Sequence, residues 1–328
     1  MIERVVGIIK AYTKWILQSI HTVEESPQPP IFIASTRRSG STLLMEMIYS
    51  QPRMDFVAQP LEFWKTHLYR SRLPVPKGNR YTTLSVERAE SVRGFIEDIL
   101  RGKIRWRNQH NIFSDDYSIV VNRHVIKELN SKPILSEIDK GMDVVYLVRH
   151  PVSYARSVVS RGWGETASVF LKDRGYIGGL LDEGQQQFCH SVLKDGSKFE
   201  RCVLEWGLEN LKTLREVHER DWLLLTYEEL ITRPDRVSEW LCAELDLPNS
   251  ERMARRTQRP SKTTQDGSEQ EFSKHGPKRL ATRRFQEASV TERRSTAEIL
   301  NMLDIRVYSA ASPAPAPWAT QFGELNLV

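Results

Sequence analysis

The sequence predicts an α/β fold in which a parallel β-sheet is covered by helices on both faces, and three observations predict it. Short runs rich in β-branched residues, such as the DVVYLV of residues 143–148, alternate with longer segments of helical periodicity. These runs are continuously apolar, which is typical of strands buried on both faces. The composition, 40% hydrophobic and 27% charged residues, suits a sizeable core within a single domain.

Strands and helices are predicted to alternate along the chain. Among the helices, the second can begin at Pro151, because proline is favoured in the first turn of a helix. Residues 160–204 fit no single element and are interpreted as a lid or an acceptor-binding insertion. The predicted strands are residues 31–35, 118–127, 143–148 and 222–226, and the predicted helices are residues 41–49, the segment opened by Pro151, residues 205–220 and residues 234–245.

The two ends of the chain are predicted to lie outside this domain, which we place at residues 31–308. Residues 1–30 comprise an amphipathic helix over residues 1–20 and a linker. The apolar stripe of that helix either packs on protein, including a second copy in a homodimer, or lies on a membrane surface. Residues 309–328 are rich in Ala and Pro and are expected to be extended or disordered.

Charge and cysteine usage restrict the class of protein. The net charge is +5, and residues 251–294 hold 12 Lys/Arg against 6 Asp/Glu. Aromatic residues are sparse in that stretch, so a polyanionic small ligand is favoured over nucleic acid. Cys189, Cys202 and Cys242 show no metal-binding spacing, and free thiols in a reducing, cytoplasmic compartment are expected, although a Cys189–Cys202 disulfide stays open. No run approaches the roughly 18 apolar residues of a membrane span.

A phosphate-binding loop is predicted between the first strand and the first helix, in IFIASTRRSGSTLLMEMI (residues 31–48). The N–H groups of such a loop converge on an anion at the helix N-terminus. The lysine that follows the glycine of a Walker loop is missing, and cations precede the glycine instead. The predicted anion-binding residues are Arg37, Arg38, Ser39, Gly40, Ser41 and Thr42.

A second anion site is predicted in VYLVRHPVSYARSVV, where Arg149 follows a strand and Ser157 lies on the next helix. A nucleoside-triphosphate enzyme would need a magnesium-binding acid at this strand end, and none is present. Two anion sites at the carboxyl ends of two parallel strands indicate a ligand with phosphates at both ends. Alternatively, Arg149 is a structural salt-bridge partner.

These two motifs, followed by LLLTYEELITRPDRVSEWLCAELDLP (residues 223–248), resemble the sulfotransferases that use 3′-phosphoadenosine-5′-phosphosulfate (PAPS). The resemblance covers roughly residues 30–305 and implies a single α/β domain with a P-loop-type parallel sheet. It also implies that the first loop binds the 5′-phosphosulfate and that Arg149 and Ser157 bind the 3′-phosphate. Tyr227 is expected to lie beside the adenine. Lys278 and Arg279 match only loosely the family's basic segment over the 3′-phosphate, and a solvated basic face is the alternative.

The family's usual base is absent. Cytosolic members carry a histidine two residues after a strand lysine, whereas here Lys127 is followed by Leu129 at that position. The first loop is more similar to carbohydrate and bacterial glycolipid sulfotransferases. In the bacterial trehalose-type enzymes, the base is a glutamate followed by two aromatics. AQPLEFW places Glu62 there, before Phe63 and Trp64. The alternative bases are Glu128 and, after it, His67 or His124.

The resemblance implies direct in-line transfer of a sulfuryl group from PAPS to a hydroxyl, releasing adenosine 3′,5′-bisphosphate (PAP) without a metal. Arg38 would neutralise charge on the bridging oxygen, Lys127 or Arg37 would assist, and Glu62 would deprotonate the acceptor. The expected acceptor is a carbohydrate or glycolipid. The alternatives are a natural-product O-sulfotransferase, a P-loop phosphotransferase and a non-catalytic nucleotide-binding scaffold.

Overall fold

The structure is a computed structural model, and it describes residues 22–23, 28–62, 73–78, 80–104, 120–258, 276, 278–325 and 327. The predicted helix over residues 1–20 lies outside the described residues. In the part that is described, no helix is both long and apolar enough to cross a bilayer. All three cysteines are free thiols, as the sequence predicts.

The centre of the fold is a five-stranded sheet in which every pairing is parallel, with strand order β3-β5-β2-β6-β7. A short parallel pair, β1 with β4, lies apart from it. The predicted fold class is therefore confirmed. The strands are β1 Thr22–Val23, β2 Ile31–Ser35, β3 Met54–Ala58, β4 Val120–Val121, β5 Arg123–Glu128, β6 Asp143–Val148 and β7 Leu223–Thr226.

Helices cover both faces of this sheet, so the continuous apolar runs of the sequence have a direct cause. In β2, Phe32 and Ala34 belong to one hydrophobic core, and Ile31 and Ile33 belong to the other. The helices are α1 Ser41–Ile48, α2 Val86–Leu100, α3 Leu135–Ile138, α4 Pro151–Val159, α5 Ala167–Lys172, α6 Arg174–Gly178, α7 Glu183–Asp195, α8 Lys198–Glu216, α9 Tyr227–Thr232, α10 Pro234–Glu244, α11 Ser250–Arg256, α12 (residues 278–286) and α13 Val290–Met302.

The edge strand β3 is not among the predicted strands, and the predicted strand over residues 118–127 is divided. The chain leaves the ladder at Asn122, whose N–H donates to the carbonyl of Arg53 at 3.0 Å. That break separates β4 from β5. β3 is short, contains Asp55 and directly follows a turn, so its pattern is too weak to be recognised without its partner β5.

The interpretation of residues 160–204 as a lid or insertion is wrong for most of that segment. The helices α5, α6 and α7 pack against α8, and Phe170, Tyr176 and Cys189 are buried in the larger core. The short connection between α4 and α5 lies next to the first loop, where the carbonyl of Gly164 accepts from Arg37 Nη2.

The described part of the C-terminal segment, residues 309–325 and 327, packs on the domain, which favours the extended alternative over disorder. Gln321 donates its backbone N–H to Glu229 Oε1 and its side-chain amide to the carbonyl of Leu224, both at 2.8 Å. Arg233 donates to the carbonyls of residues 322–324. Because Leu325 and Leu327 are buried, this segment behaves as part of the domain.

Candidate functional site

The first loop lies at the carboxyl end of β2, where a sharp change of backbone direction leads into α1. Arg38 and Gly40 both have positive φ, 68° and 88°. A Cβ on Gly40 would lie 2.6 Å from the ring of Tyr227, so only glycine fits this position. A left-handed arginine is uncommon, and backbone strain of this kind is frequent at functional sites.

Arg38 links the two anion sites that the sequence predicts. Its Nε donates to Ser157 Oγ at 3.2 Å, and its carbonyl accepts from Arg149 Nη1 at 2.8 Å. Burial, together with the positive charges of Arg161, Arg149 and Arg284, lowers the pKa of Arg38 to about 10. The loop after β2 and the start of α4 therefore form one positively charged site.

Four guanidinium groups face this site: Arg38, Arg149, Arg161 and Arg284. In the part of the chain that the structure describes, none of the four forms an ion pair with a carboxylate. Arg149 Nε and Arg161 Nε are buried without a hydrogen-bond acceptor. Since buried cations are normally paired, a cluster in which none of these arginines forms an ion pair with a described carboxylate indicates a site for an anionic ligand.

Tyr227 closes one side of the cluster. The guanidinium of Arg149 lies over its ring, 4.1 Å from the centroid. Tyr227 is the first residue of α9, and its ring also contacts the backbone at Gly40. This single aromatic ring joins the predicted phosphate loop to the predicted second site.

Lys127 and Glu62 belong to the side of the sheet formed by β3 and β5. Lys127 Nζ donates to Thr42 Oγ1 at 3.3 Å, from the carboxyl end of β5 to the first turn of α1. Glu62 follows the adjacent strand β3 and is partly exposed. Its charge contributes to raising the pKa of the neighbouring Glu128, although burial is the main cause.

The alternative bases have other environments. Glu128 is fully buried and accepts backbone N–H groups from Leu61, Leu129 and Asn130 at 2.7–3.1 Å, so its oxygens hold the chain between strands. His124 lies near the opposite end of β5, about 10 Å from Lys127 at the usual rise per residue. His67, Phe63 and Trp64 lie outside the described residues.

Arg37 points away from this cluster into a buried charge network. Its Nη2 lies 2.8 Å from Glu205 Oε2, its Nε donates to Tyr154 Oη at 3.1 Å, and its Nη2 also donates to the carbonyl of Gly164. Arg80 bridges Glu205 and Glu209 at 3.0 and 2.9 Å. The side chain of Arg37 therefore anchors the loop, and its role as an anion ligand stays a prediction.

Sequence reasoning missed Arg161 and Arg284. Arg161 lies four residues after Ser157, a helical spacing that places both on one face of the α4 end. Arg284 donates to Ser160 Oγ at 3.1 Å from α12. Lys278 and Arg279, the predicted basic pair, are exposed at the start of the same helix. The basic run of the sequence indicated this helix but not which of its cations turns inward.

No protein-family model and no curated protein matches the chain. Among solved structures it resembles the sulfotransferase domain of the curacin biosynthetic pathway, with 19% identity, 86% of this chain and 99% of that chain covered and a TM-score of 0.45. It also resembles the sulfotransferase domain of the Synechococcus PCC 7002 olefin synthase, with 16% identity, 87% of this chain and 97% of that chain covered and a TM-score of 0.46. A third similar structure is a sulfotransferase from Mycobacterium avium, with 12% identity, 86% of this chain and 78% of that chain covered and a TM-score of 0.40. At such identities and scores the function must be argued from the site itself.

Proposed function

We propose that this protein is an O-sulfotransferase that uses PAPS as donor. The observation that carries the proposal is the cluster of Arg38, Arg149, Arg161 and Arg284, which converges on the glycine loop without a carboxylate partner among the described residues. Arginine and loop N–H groups can bind a bisphosphate and stabilise a transferring sulfuryl group without help from an acidic residue.

The residues present fit such a donor. The orphaned Nε atoms of Arg149 and Arg161 are donors that two phosphates would satisfy. Gly40 leaves the loop backbone open to close approach, and Tyr227 offers an aromatic ring at the edge of the same site. The bound donor would supply the sulfuryl group and leave as PAP.

The residues of the chain would divide the work. Arg38 would hold the side of the donor where negative charge grows as the bond to sulfur breaks. Arg149 and Ser157 would hold the 3′-phosphate, with Arg161 and Arg284 contributing charge. Glu62 would accept the proton of the acceptor hydroxyl, because its side chain is partly exposed whereas the oxygens of Glu128 are already used by backbone N–H groups.

A P-loop phosphotransferase, the main rival, fits this site less well. Phosphoryl transfer from ATP uses Mg²⁺ held by an acid at a strand end, and Arg149 occupies that end of β6. Four guanidinium groups around the loop would also repel a divalent cation.

We further propose a carbohydrate or glycolipid hydroxyl as the acceptor, in a cytoplasmic protein. The first loop and the Glu62 segment support it through their similarity to the carbohydrate-modifying branch. Trp163, 39% exposed beside Arg37 and Arg161, adds an aromatic face at the margin of the site. Transfer of ³⁵S from labelled PAPS to a panel of sugars, glycolipids and phenols measures this preference, and labelling of phenols alone would favour the natural-product alternative.

Ligand-induced thermal stabilisation should separate the candidate functions. PAP at 100 times its Kd should stabilise the fold by about 2.7 kcal/mol, whereas ATP with Mg²⁺ should give a much smaller shift. Transfer activity should be unchanged by a chelator. Stabilisation by ATP that requires Mg²⁺ would favour the phosphotransferase, and PAP binding without any turnover of PAPS would favour a scaffold.

Replacing Glu62 by glutamine should remove the base while keeping the shape of the side chain. We expect kcat to fall by about 10²–10⁴-fold, with the Kd for PAP within about twofold of wild type, because the phosphates bind elsewhere. Glu87→Gln, an exposed change on α2, is the matched control and should leave both parameters unchanged. An unaffected kcat in Glu62→Gln would exclude this residue as the base.

A further inference from the structure

A buried carboxylate lies directly behind the arginine cluster and has no role in the function proposed above. Glu228, the residue after Tyr227, is 0% exposed. Its Oε2 accepts from Tyr308 Oη at 2.6 Å, and its Oε1 accepts from the backbone N–H of His150 at 3.3 Å. It therefore connects the C-terminal segment to the residue that follows Arg149.

Glu228 interacts with the cluster by charge rather than by direct pairing. Both Arg149 and Glu228 are described in the structure, and no ion pair joins them. Burial raises the pKa of Glu228 to about 7, whereas the hydroxyl of Tyr308 and the positive charge of Arg149 act to lower it. Since Arg149 lies against the ring of the preceding residue, Tyr227, its charge is fixed close to this carboxylate.

His150 and Tyr308, the two groups that hydrogen-bond or pack beside Glu228, do not change charge near neutral pH. Burial lowers the pKa of His150 to about 4, and its ring accepts from Val152 N–H and bonds the carbonyl of Ser309, so it is neutral. Burial raises the pKa of Tyr308 well above its ordinary value. Glu229, on the same helix, faces Thr226 and Gln321 instead.

His150 also connects this region to Arg284, another arginine of the cluster. The ring of Phe285 packs edge-on against His150 with centroids 4.8 Å apart, and the next residue back along α12 is Arg284. Arg149 is among the charges that lower the pKa of Arg284, after burial. Glu228 thus acts directly on Arg149, and Arg149 in turn acts on Arg284.

We propose that Glu228 is the exchangeable counter-charge of the anion site: its carboxylate offsets Arg149 while the site is empty and takes up a proton from solvent when phosphate binds there. The proton ends on a carboxylate oxygen of Glu228. The bound phosphate then supplies the negative charge that balances Arg149. This inference rests on the proposed function for its ligand, PAP, but it makes a separate prediction about protons.

The sign of the linkage follows from the charges. A bound phosphate replaces the unbalanced positive charge near Glu228 by negative charge, so the pKa of Glu228 is higher in the complex than in the free protein. Below the pKa of the free protein, Glu228 is protonated in both states and has no effect. As the pH rises above about 7, binding must recover a proton, so affinity falls.

Calorimetric titration of the full chain with PAP at pH 8, in two amine buffers of different ionisation enthalpy, measures this proton directly. A neighbouring charge typically shifts a pKa by about 1–3, so wild type should take up about 0.4–0.9 proton per site. The Kd should rise roughly 4- to 16-fold between pH 7 and 8.5. Glu228→Gln should abolish the uptake and leave the Kd nearly constant across that range.

Two further variants guard against a purely structural explanation. Glu229→Gln, one residue away and facing a different partner, should keep the uptake of wild type. Tyr308→Phe removes a hydrogen bond that favours the charged form of Glu228, so the window of proton uptake should move to higher pH. Such a shift is not expected if Tyr308 only supports the fold.

The outcomes are distinct. PAP binding by wild type without proton uptake at pH 8, or with an equal uptake in Glu228→Gln, would overturn the inference and leave the proposed function intact. Failure of wild type to bind PAP at all would overturn both.

Discussion

Arg38→Ala is expected to lower kcat by about 10²–10³-fold, or about 2.7–4 kcal/mol, while changing the Kd for PAP only a few-fold. The loss is that of a donor aimed at charge that develops during transfer. Alanine adopts the same left-handed backbone at the same cost as arginine, so the change isolates the guanidinium. Its removal also frees Ser157 Oγ, which accepts from Arg38 Nε at 3.2 Å.

Arg149→Ala should chiefly weaken PAP binding and have a smaller effect on kcat. Its guanidinium lies over Tyr227 and donates to the carbonyl of Arg38, at the site proposed for the 3′-phosphate. That phosphate does not react, so its contacts act equally in the ground state and the transition state. We expect the Kd for PAP to rise by roughly 10- to 100-fold, from losing a charged hydrogen bond of about 1.5–3 kcal/mol, with a smaller change in kcat at saturating donor.

Initial-rate kinetics with varied PAPS, together with calorimetric Kd values for PAP, separate these two effects. Arg255→Ala, on the exposed side of α11, is the control and should match wild type in both measurements. Equal losses of kcat and affinity in the Arg38 and Arg149 variants would show that the two arginines do not divide the work as proposed.

Local signals in the sequence were sufficient for the parts of the site that lie within one strand–loop–helix unit. The loop from Thr36 to Gly40, and the pair Arg149 and Ser157, each follow an apolar strand and open a helix, so their positions follow from the topology alone. The structure brings them within hydrogen-bonding distance, with Arg38 bonded to Ser157 and to Arg149.

The rest depended on contacts between residues distant in sequence, which local patterns do not encode. Arg37 and Arg38 are adjacent and chemically identical, yet one turns to Glu205, 168 residues later, and the other to Ser157. Similarly, the inward turn of Arg284 rather than Lys278 is set by where Phe285 packs against His150. The sequence leaves open whether the C-terminal segment is extended or disordered, because its partners Glu229 and Leu224 lie far away in the sequence.

The buried network behind the first loop should contribute more to stability than any surface ion pair. Glu205 Oε1 accepts from Arg80 Nη2 at 3.0 Å and from Thr166 Oγ1 at 2.7 Å, and Oε2 accepts from Arg37 Nη2 at 2.8 Å. Glutamine would replace one of these acceptor oxygens by an amide NH₂ that faces a guanidinium donor. Arg37 would then lose its carboxylate partner, and Arg80 would keep only Glu209.

Glu205→Gln is therefore expected to lower the free energy of unfolding by about 3–5 kcal/mol, the usual cost of breaking a buried pair. For a chain of this length, that corresponds to a fall in Tm of about 4–7 °C, measurable by calorimetry. Glu216→Gln is the matched control on the same helix, since its partner Lys212 is 3.9 Å away and partly exposed; it should cost less than about 0.5 kcal/mol. Because Glu205 holds Arg37, the variant should also bind PAP more weakly at temperatures where it is folded. A Tm within about 1 °C of wild type would mean that hydration or rearrangement compensates the two arginines, and that the first loop does not depend on this network.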